Sequence, residues 1–215
     1  MKTFPKALLT LVAMSSSAFA GEDISKEVIP PPVDNPYFIG GTIGHLDEMD
    51  TEFYSFHIGK DLDNQFLGCD QSVYLEIGYA DTDGDTLVID PNITSAVVLR
   101  PLDYSFELIP LTLNYKLEKE LSPNFNAYLG AGAGVAFTDS KVSVGALSDS
   151  DSDTVFFAQA FAGILYNINE SWEAYGGARF IYFDEPDNDI WDGIEALDAA
   201  DNNDWLAEIG LRYNF

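Results

Sequence analysis

The sequence is poor in cysteine and in positive charge. Cys69 is the only cysteine among 215 residues, so no disulfide can form within the chain. Ten Lys and Arg residues face 36 Asp and Glu residues, which gives a formal net charge of −26. Proteins that bind nucleic acid neutralise phosphates with Lys and Arg, so this balance argues against a nucleic-acid partner. It also argues against simple attraction to anionic lipid headgroups.

Long apolar runs are missing as well. No stretch of about 18 apolar residues occurs, and this excludes a membrane-spanning helix. Nevertheless 47% of the residues are hydrophobic and 13% are aromatic, so a large apolar surface has to be accommodated. Strands whose residues alternate between apolar and polar would accommodate it without producing a long hydrophobic run.

The first 36 residues are predicted to lie outside the folded domain. Lys2 and Lys6 precede eight apolar or small residues, and Ala18-Phe19-Ala20 matches a cleavage pattern. This predicts a secretory signal peptide that is cleaved before Gly21, since eight residues are too few to span a membrane. Removing Lys2 and Lys6 leaves a net charge of −28. Residues 21–36 contain three consecutive prolines and are predicted to form a stiff, Pro-rich leader.

Period-2 alternation predicts eight strands in the remaining chain. In the fourth of them Ile109, Leu111 and Leu113 alternate with Pro110, Thr112 and Asn114. One face is apolar over roughly ten residues, the length at which a tilted strand crosses a bilayer. The predicted strands are 37–46, 53–60, 72–80, 106–117, 125–137, 155–168, 172–183 and 205–215.

Aromatic residues gather at the two ends of these strands, as in the belts of a barrel that crosses a bilayer. One predicted belt contains Tyr54, Tyr79, Phe137, Phe156, Tyr182 and Trp205, and the other contains Tyr37, Tyr115, Phe125, Trp172 and Phe215. The connections 60–71, 118–124 and 169–171 lie at one end and are mostly short. Those at the other end, 81–105, 138–154 and 184–204, are long, and only 47–52 is short. A further hairpin from 86–89 and 96–99, which would give ten strands, is the alternative.

The last strand carries a resemblance to a known family. Trp205, Ile209, Tyr213 and Phe215 lie on one face, and the strand ends on an aromatic residue. Together with the stretches 109–115 and 126–134, it is similar to the small bacterial outer-membrane β-barrels that include OmpA-like transmembrane domains and opacity-type proteins. The resemblance covers residues 37–215.

This resemblance implies an all-β fold, an eight-stranded antiparallel up-and-down transmembrane β-barrel with short periplasmic turns and longer external loops. It implies a location in the bacterial outer membrane, among lipid and lipopolysaccharide, as a monomer with a periplasmic leader. Tyr213 and Phe215 would belong to the signal that the barrel-assembly machinery reads.

An eight-stranded barrel is just wide enough for its own side chains, so inward charges are expected to pair. We predict the cross-strand ion pairs Glu173–Arg212 and Arg179–Glu208. Glu76, Asn114 and Lys116 are predicted to join them in a polar plug. The alternative is a narrow channel for ions or small solutes.

The acidic segments offer one weak metal site. Asp81, Asp83 and Asp85 resemble a fragment of a calcium loop, but the distal bidentate Glu is missing. A solvated acidic loop is the other interpretation, and it also applies to Asp149, Asp151 and Asp153 and to the cluster Asp184, Glu185, Asp187 and Asp189. No other cofactor is expected.

A catalytic role finds little support in the sequence. Only His45 and His57 could act as imidazole bases. Ser55 lies two residues from His57, roughly 7 Å away along a strand, which is too far for a direct hydrogen bond. We therefore expect a non-enzymatic barrel for envelope integrity or surface interaction, with divalent cations as a bridge to anionic lipopolysaccharide. A narrow channel and, more remotely, a lipid-modifying enzyme are the alternatives.

Overall fold

A computed structural model describes residues 36–89, 99–144, 147–184 and 202–215 of the chain. The chain divides into two units, Met1–Pro32 and Val33–Phe215, and every described residue belongs to the second. The predicted signal peptide and nearly all of the predicted leader therefore lie outside the described residues, as do Glu185, Asp187 and Asp189.

Eight antiparallel strands form one closed barrel in which each strand pairs with its neighbours in the sequence. This confirms the predicted fold, and the ten-stranded alternative is wrong. In the described part of the chain, no helix is long and apolar enough to cross a membrane. The strands are β1 (Tyr37–Leu46), β2 (Thr51–Phe66), β3 (Cys69–Ile89), β4 (Leu99–Ser122), β5 (Phe125–Val144), β6 (Leu147–Asn167), β7 (Trp172–Phe183) and β8 (Asn203–Asn214).

Pairing between β1 and β8 closes the barrel. The register runs from Phe38 opposite Asn214 to Leu46 opposite Leu206. One further hydrogen bond extends the seam, because the amide of Phe215 donates to the carbonyl of Tyr37 at 2.8 Å. Along this seam neither β1 nor β8 is left with an open edge.

Side chains alternate between the lumen and the outer wall along most of each strand. On β3, Leu75, Ile77 and Tyr79 point outward and are exposed, whereas Tyr74 and Glu76 point inward and are buried. Both predicted aromatic belts are found on the outer wall. The exposed apolar wall suits a hydrocarbon environment better than water.

Several strands are longer than the alternation predicted. β2 continues to Phe66 and β3 begins at Cys69, so nearly all of the predicted connection 60–71 is strand. β3 and β4 stay paired to Ile89 opposite Leu99, and β5 and β6 to Val144 opposite Leu147. Much of the predicted external loops 81–105 and 138–154 is therefore strand. The hydrogen-bond ladder continues where the outer wall no longer needs apolar residues, so the pattern disappears before the strand does.

The connection between β2 and β3 is a tight two-residue turn. Phe66 pairs with Cys69, and Leu67 and Gly68 between them have φ values of 53° and 71°. Two positive φ values are typical of a type I′ hairpin turn, which favours Asn-Gly. A leucine in this left-handed region costs roughly 1–2 kcal/mol. The turn therefore holds a strained and highly exposed leucine.

Replacing that leucine should stabilise the barrel. For Leu67→Asn we expect the free energy of unfolding to rise by about 1 kcal/mol, because Asn tolerates positive φ. Urea unfolding in detergent micelles measures it. Leu121→Asn is the control, since Leu121 is an exposed leucine on β4 without a positive φ. Equal effects of the two variants would show that hydrophobicity, and not backbone strain, is responsible.

Candidate functional site in the barrel lumen

Side chains fill the lumen in successive layers. The layer nearest the external end is apolar and includes Phe53, Leu108 and Phe157, all of them fully buried. The short turn between β1 and β2 covers this layer, because Met49 packs into it. Asp204 holds the turn in place by accepting hydrogen bonds from the amides of Glu48 and Met49, at 2.9 and 3.0 Å. Apolar side chains thus fill the external end of the described lumen.

A guanidinium lies beneath the apolar layer and bridges the lumen. Arg179 on β7 donates from Nε to Glu208 on the adjacent strand β8 at 2.8 Å. Its Nη1 also contacts Glu76 on β3, four strands away around the barrel. The Arg179 side chain is only 2% exposed, and both carboxylates are similarly buried. Arg179 and Glu208 therefore form the pair expected from the sequence, and Glu76 joins them from the opposite wall.

Amide and hydroxyl groups complete this Arg179 layer. Gln159 on β6 accepts from Arg179 Nη1 at 2.8 Å and donates to Asn114 Oδ1 at 2.6 Å. Asn114 also donates to Thr112 at 2.9 Å. A Cβ at Gly132 would lie 1.8 Å from Asn114 Oδ1, so only glycine leaves room for this amide. Gln159 was not predicted to join this layer, although a polar residue between Ala158 and Ala160 on the inward face indicates a position in the lumen.

Aromatic rings form the next layer toward the periplasmic end. It consists of Phe38, Tyr74, Tyr128, Phe161 and Leu165, with Tyr175 packed against them. The His57 ring lies among these rings, 5.3 Å from that of Tyr74 and 6.0 Å from that of Phe38. A cavity of about 20 Å³ remains between this layer and the charged groups on either side. That is room for about one water molecule.

A second charged layer lies at the periplasmic end. Arg212 on β8 forms ion pairs with Glu173 on β7 and, at 3.0 Å, with Glu118 on β4. Lys116 binds the same Glu118 at 2.6 Å. The expected pair Glu173–Arg212 is therefore present and Lys116 lies beside it. Asp61 also belongs to this layer, 3.7 Å from Arg212. Neither Asp61 nor Glu118, which was predicted to lie in a connection, was predicted to join these ion pairs.

Below this Arg212 layer a polar cavity of about 630 Å³ opens at the periplasmic end. The ends of seven strands and two turns line it. Asp61 lies in its wall, and burial raises the pKa of that carboxyl to about 6 although Arg212 opposes the change. No single segment of the sequence could indicate this cavity, because its walls come from β2 through β8.

The acidic residues at the external end lie on strands. Asp81, Asp83 and Asp85 project outward from β3, just beyond Tyr79, and Glu107 and Asp103 face two of them from β4. Their predicted position in a loop is wrong, because β3 and β4 stay paired beyond the apolar part of the outer wall. Within the described ranges, no group of three His, Cys, Asp or Glu side chains is arranged to hold a metal ion.

The carboxylates at this end of β5 and β6 form hydrogen bonds with groups on the same two strands. Asp149, Asp151 and Asp153 each accept a hydrogen bond from the amide of the next residue along β6. Hydrogen bonds from Lys141 and Ser152 lower the pKa of Asp139, and Asp139 in turn raises the pKa of Lys141. This end of the barrel is therefore strongly acidic with few cations.

The two histidines do not form a catalytic pair. His45 lies on the outer wall, 3.5 Å from Asp50, and His57 is buried inside the lumen. The hydroxyl of Ser55, which lies two residues from His57, is buried without a hydrogen-bond partner. The Nδ1 atom of His57 is also buried without a partner. Neither serine nor imidazole can reach a lipid from this position.

Tyr213 and Phe215 lie on the outer wall at the closing seam. Their rings are 6.3 Å apart, and each has a second aromatic neighbour. Trp172 lies 4.9 Å from Tyr213, and Tyr37 lies 6.4 Å from Phe215. The final residues thus join the first and last strands through a continuous aromatic surface.

The chain belongs to the outer membrane protein β-barrel domain family, whose pattern it matches over residues 7–215. The strands therefore span a bacterial outer membrane, and the apolar outer wall faces its lipid. No protein of curated function matches the sequence.

Solved structures share the fold at low sequence identity. A major outer membrane protein from Thermus thermophilus is 12% identical, with a TM-score of 0.56 and coverage of 83% of this chain and 98% of that one. Neisserial surface protein A is also 12% identical, with a TM-score of 0.50 and coverage of 83% and 97%. The outer membrane enzyme PagL is 14% identical, with a TM-score of 0.44 and coverage of 83% and 99%. The first two similarities show the fold alone, and nothing is inferred from the third.

Removing the central guanidinium should destabilise the barrel strongly. For Arg179→Ala we expect a loss of roughly 3–5 kcal/mol, because Glu76 and Glu208 would remain buried without a cation. Adding Glu76→Gln and Glu208→Gln should recover much of that loss. Urea unfolding in detergent micelles measures both variants.

The control for Arg179 is Lys141→Ala, which breaks the exposed ion pair with Asp139. Water screens an exposed pair and ordering two long side chains offsets its attraction, so this variant should be nearly neutral. If the two neutralised carboxylates gave no recovery in Arg179→Ala, lost packing would explain the effect instead of unpaired charge.

Proposed function

We propose that this protein is a non-enzymatic outer-membrane barrel whose lumen is closed, and that it supports the envelope and presents an acidic external surface. The observation that carries the closed lumen is the ion pairing of Arg179 with Glu76 and Glu208. A side chain that bridges opposite walls, with apolar packing above it, supports a lumen without a continuous water path. The barrel would then act through its outer wall and its external end.

The proposal predicts no conductance. We expect the wild-type barrel in planar bilayers to give no reproducible current steps. Removing two of the obstructions, in the double variant Phe157→Ala and Arg179→Ala, should produce a leak. Phe156→Ala with Phe180→Ala is the matched control, because these neighbours on the same strands face outward.

The control should remain silent, and heat-modifiability on SDS gels should show that every variant is folded. Regular current steps from the wild-type protein would contradict the closed lumen. They would favour the narrow channel, for which the polar layers at Arg179 and Arg212 are the supporting observation.

The acidic external surface is proposed to interact through divalent cations. Asp81, Asp83 and Asp85 project from β3 beyond the aromatic belt, where lipopolysaccharide headgroups surround such a barrel. Carboxylates and phosphates repel each other, and Ca²⁺ or Mg²⁺ bridges oxygen ligands of both kinds. The three carboxylates are too dispersed for a closed calcium site, so a bridging role fits them better than a structural one.

Changing these three residues to Asn should weaken cation-dependent binding of lipopolysaccharide several-fold. The measurement compares lipopolysaccharide binding to nanodisc-embedded protein with Ca²⁺ and with a chelator. Asp63→Asn, Asp70→Asn and Glu120→Gln form the control, with the same charge change at the periplasmic end. Binding that ignores the chelator, or that falls equally in both variants, would contradict a bridge at β3.

The remaining assignments belong to the same proposal. The barrel is a monomer without a resident cofactor, and Tyr213 and Phe215 are recognised by the barrel-assembly machinery. Their exposure on the outer wall at the closing seam supports that role, and the yield of heat-modifiable Phe215→Ala barrel tests it. The burial of His57 and of the Ser55 hydroxyl disfavours a lipid-modifying activity, which an assay for release of fatty acid from lipopolysaccharide would reveal.

A further inference from the structure

The cavity at the periplasmic mouth has the size and position of a ligand site. Its volume of about 630 Å³ lies within the range of roughly 300–1,000 Å³ that is typical of small-molecule sites. It opens toward the periplasm, and the Arg212 layer forms its floor. Its lining is largely polar, with Leu62, Pro123 and Ile168 as the apolar contributions.

Negative charge dominates this cavity. Its carboxylates are Asp61, Asp70, Glu118, Glu170 and Glu173. Glu118 and Glu173 are engaged by Arg212 and Lys116, as described above. Asp70 accepts a hydrogen bond from the side-chain amide of Gln65, at 2.8 Å, and Asp61 lies 3.7 Å from a guanidinium nitrogen of Arg212. Five carboxylates against these two cations leave a net charge of −3 around the cavity.

An unsatisfied hydroxyl provides an independent sign of a ligand. Ser72 is 1% exposed, lines the cavity, and its Oγ has no hydrogen-bond partner. It lies on the inward face of β3, opposite Asp61 on β2 and Lys116 on β4. A buried hydroxyl without a partner is costly, and a bound donor in the cavity would remove that cost.

The distribution of the acceptors indicates the shape of the ligand. The carboxylates occupy the ends of β2, β3, β4 and β7 and the turn before β7, and no three of these described residues converge on a metal position. Amide side chains from Asn124, Asn126 and Asn167 lie among them. A compact ion would reach few of these oxygens, whereas an extended cation with several N–H groups would reach many.

We propose that the periplasmic mouth binds a linear organic polycation of the polyamine class. Each ammonium group carries up to three donors, which match the carboxylate, amide and hydroxyl oxygens of the wall. Glu170 forms no ion pair within the described residues, and Asp61 shares Arg212 with Glu118 and Glu173. Both therefore supply negative charge to a cation, and the hydroxyl of Ser72 accepts at the inner end of the cavity. Nothing in the closed lumen is required for this binding.

Spermidine is the probe, and the protein is held in nanodiscs of zwitterionic phosphatidylcholine so that lipid does not bind it. Isothermal titration should give saturable binding to the wild-type barrel. Asp61→Asn with Glu170→Gln should weaken it about tenfold, since two charged hydrogen bonds are lost. Ser72→Ala should weaken it by a smaller, measurable factor without changing the charge.

The matched control is Asp63→Asn with Glu120→Gln. It removes the same charge at the same end of the barrel, but neither residue lines the cavity. It should bind spermidine within about twofold of wild type, because exposed charges outside the site contribute little. Equal weakening by both double variants would show diffuse attraction and overturn the proposal. So would the absence of saturable binding, or Mg²⁺ displacing spermidine at equal concentration.

The pH dependence gives a separate readout. The Asp61 carboxyl, whose pKa is raised to about 6, faces Arg212, Glu118, Lys116 and Glu173. An ammonium ligand favours the ionised carboxylate, so affinity should fall as the pH drops from about 7.5 to about 5.5. Asp61→Asn should flatten that profile. An unchanged slope in this variant would remove Asp61 from the site.

Discussion

Pairing between β1 and β8 is the constraint on which the rest of the structure depends. In hydrocarbon, each unpaired backbone group costs several kcal/mol, so a sheet persists there only when it has no edge. Closing eight strands fixes a narrow lumen, and that lumen must then be filled by the inward half of every strand. The strict alternation of Leu75, Glu76 and Ile77 follows directly, because one wall meets lipid and the other meets only its own side chains.

The narrow lumen explains why its charges are organised in layers. Arg179 cannot be solvated once the apolar layer and the aromatic rings enclose it, so its neighbours must supply the compensating oxygens. Glu208 supplies them from the adjacent strand and Glu76 from the opposite wall. Such a cross-lumen bridge ties β7 to β3, which share no backbone hydrogen bonds. The side chains thereby connect strands that the sheet itself does not connect.

Much of this arrangement can be read from the sequence, because a period of two assigns each residue to the lumen or the wall. The pairs Arg179–Glu208 and Glu173–Arg212 follow from parity and from position along adjacent strands. The contact between Arg179 and Glu76 does not, since it depends on the curvature that brings distant strands face to face. Beyond Tyr79 the alternation fails for another reason, because Asp81 and Asp83 lie past the apolar wall and the backbone pairing with β4 continues without an apolar pattern. The periplasmic cavity could not be predicted from the sequence either, because the ends of seven strands form its walls together.

The two ends of the lumen differ in kind, since apolar side chains fill the external end and charged side chains line the periplasmic mouth. In the proposed closed barrel, Met49 and the apolar layer at the external end would exclude ions of either sign. At the periplasmic end the carboxylates of Asp61 and Glu170 attract cations, but Arg212 and Lys116 stand directly behind them. A cation drawn into the mouth therefore meets fixed positive charge before it reaches the aromatic layer. The arrangement that is proposed to attract cations to the mouth would also end their path there, so the proposed binding and the proposed closure are compatible in one barrel.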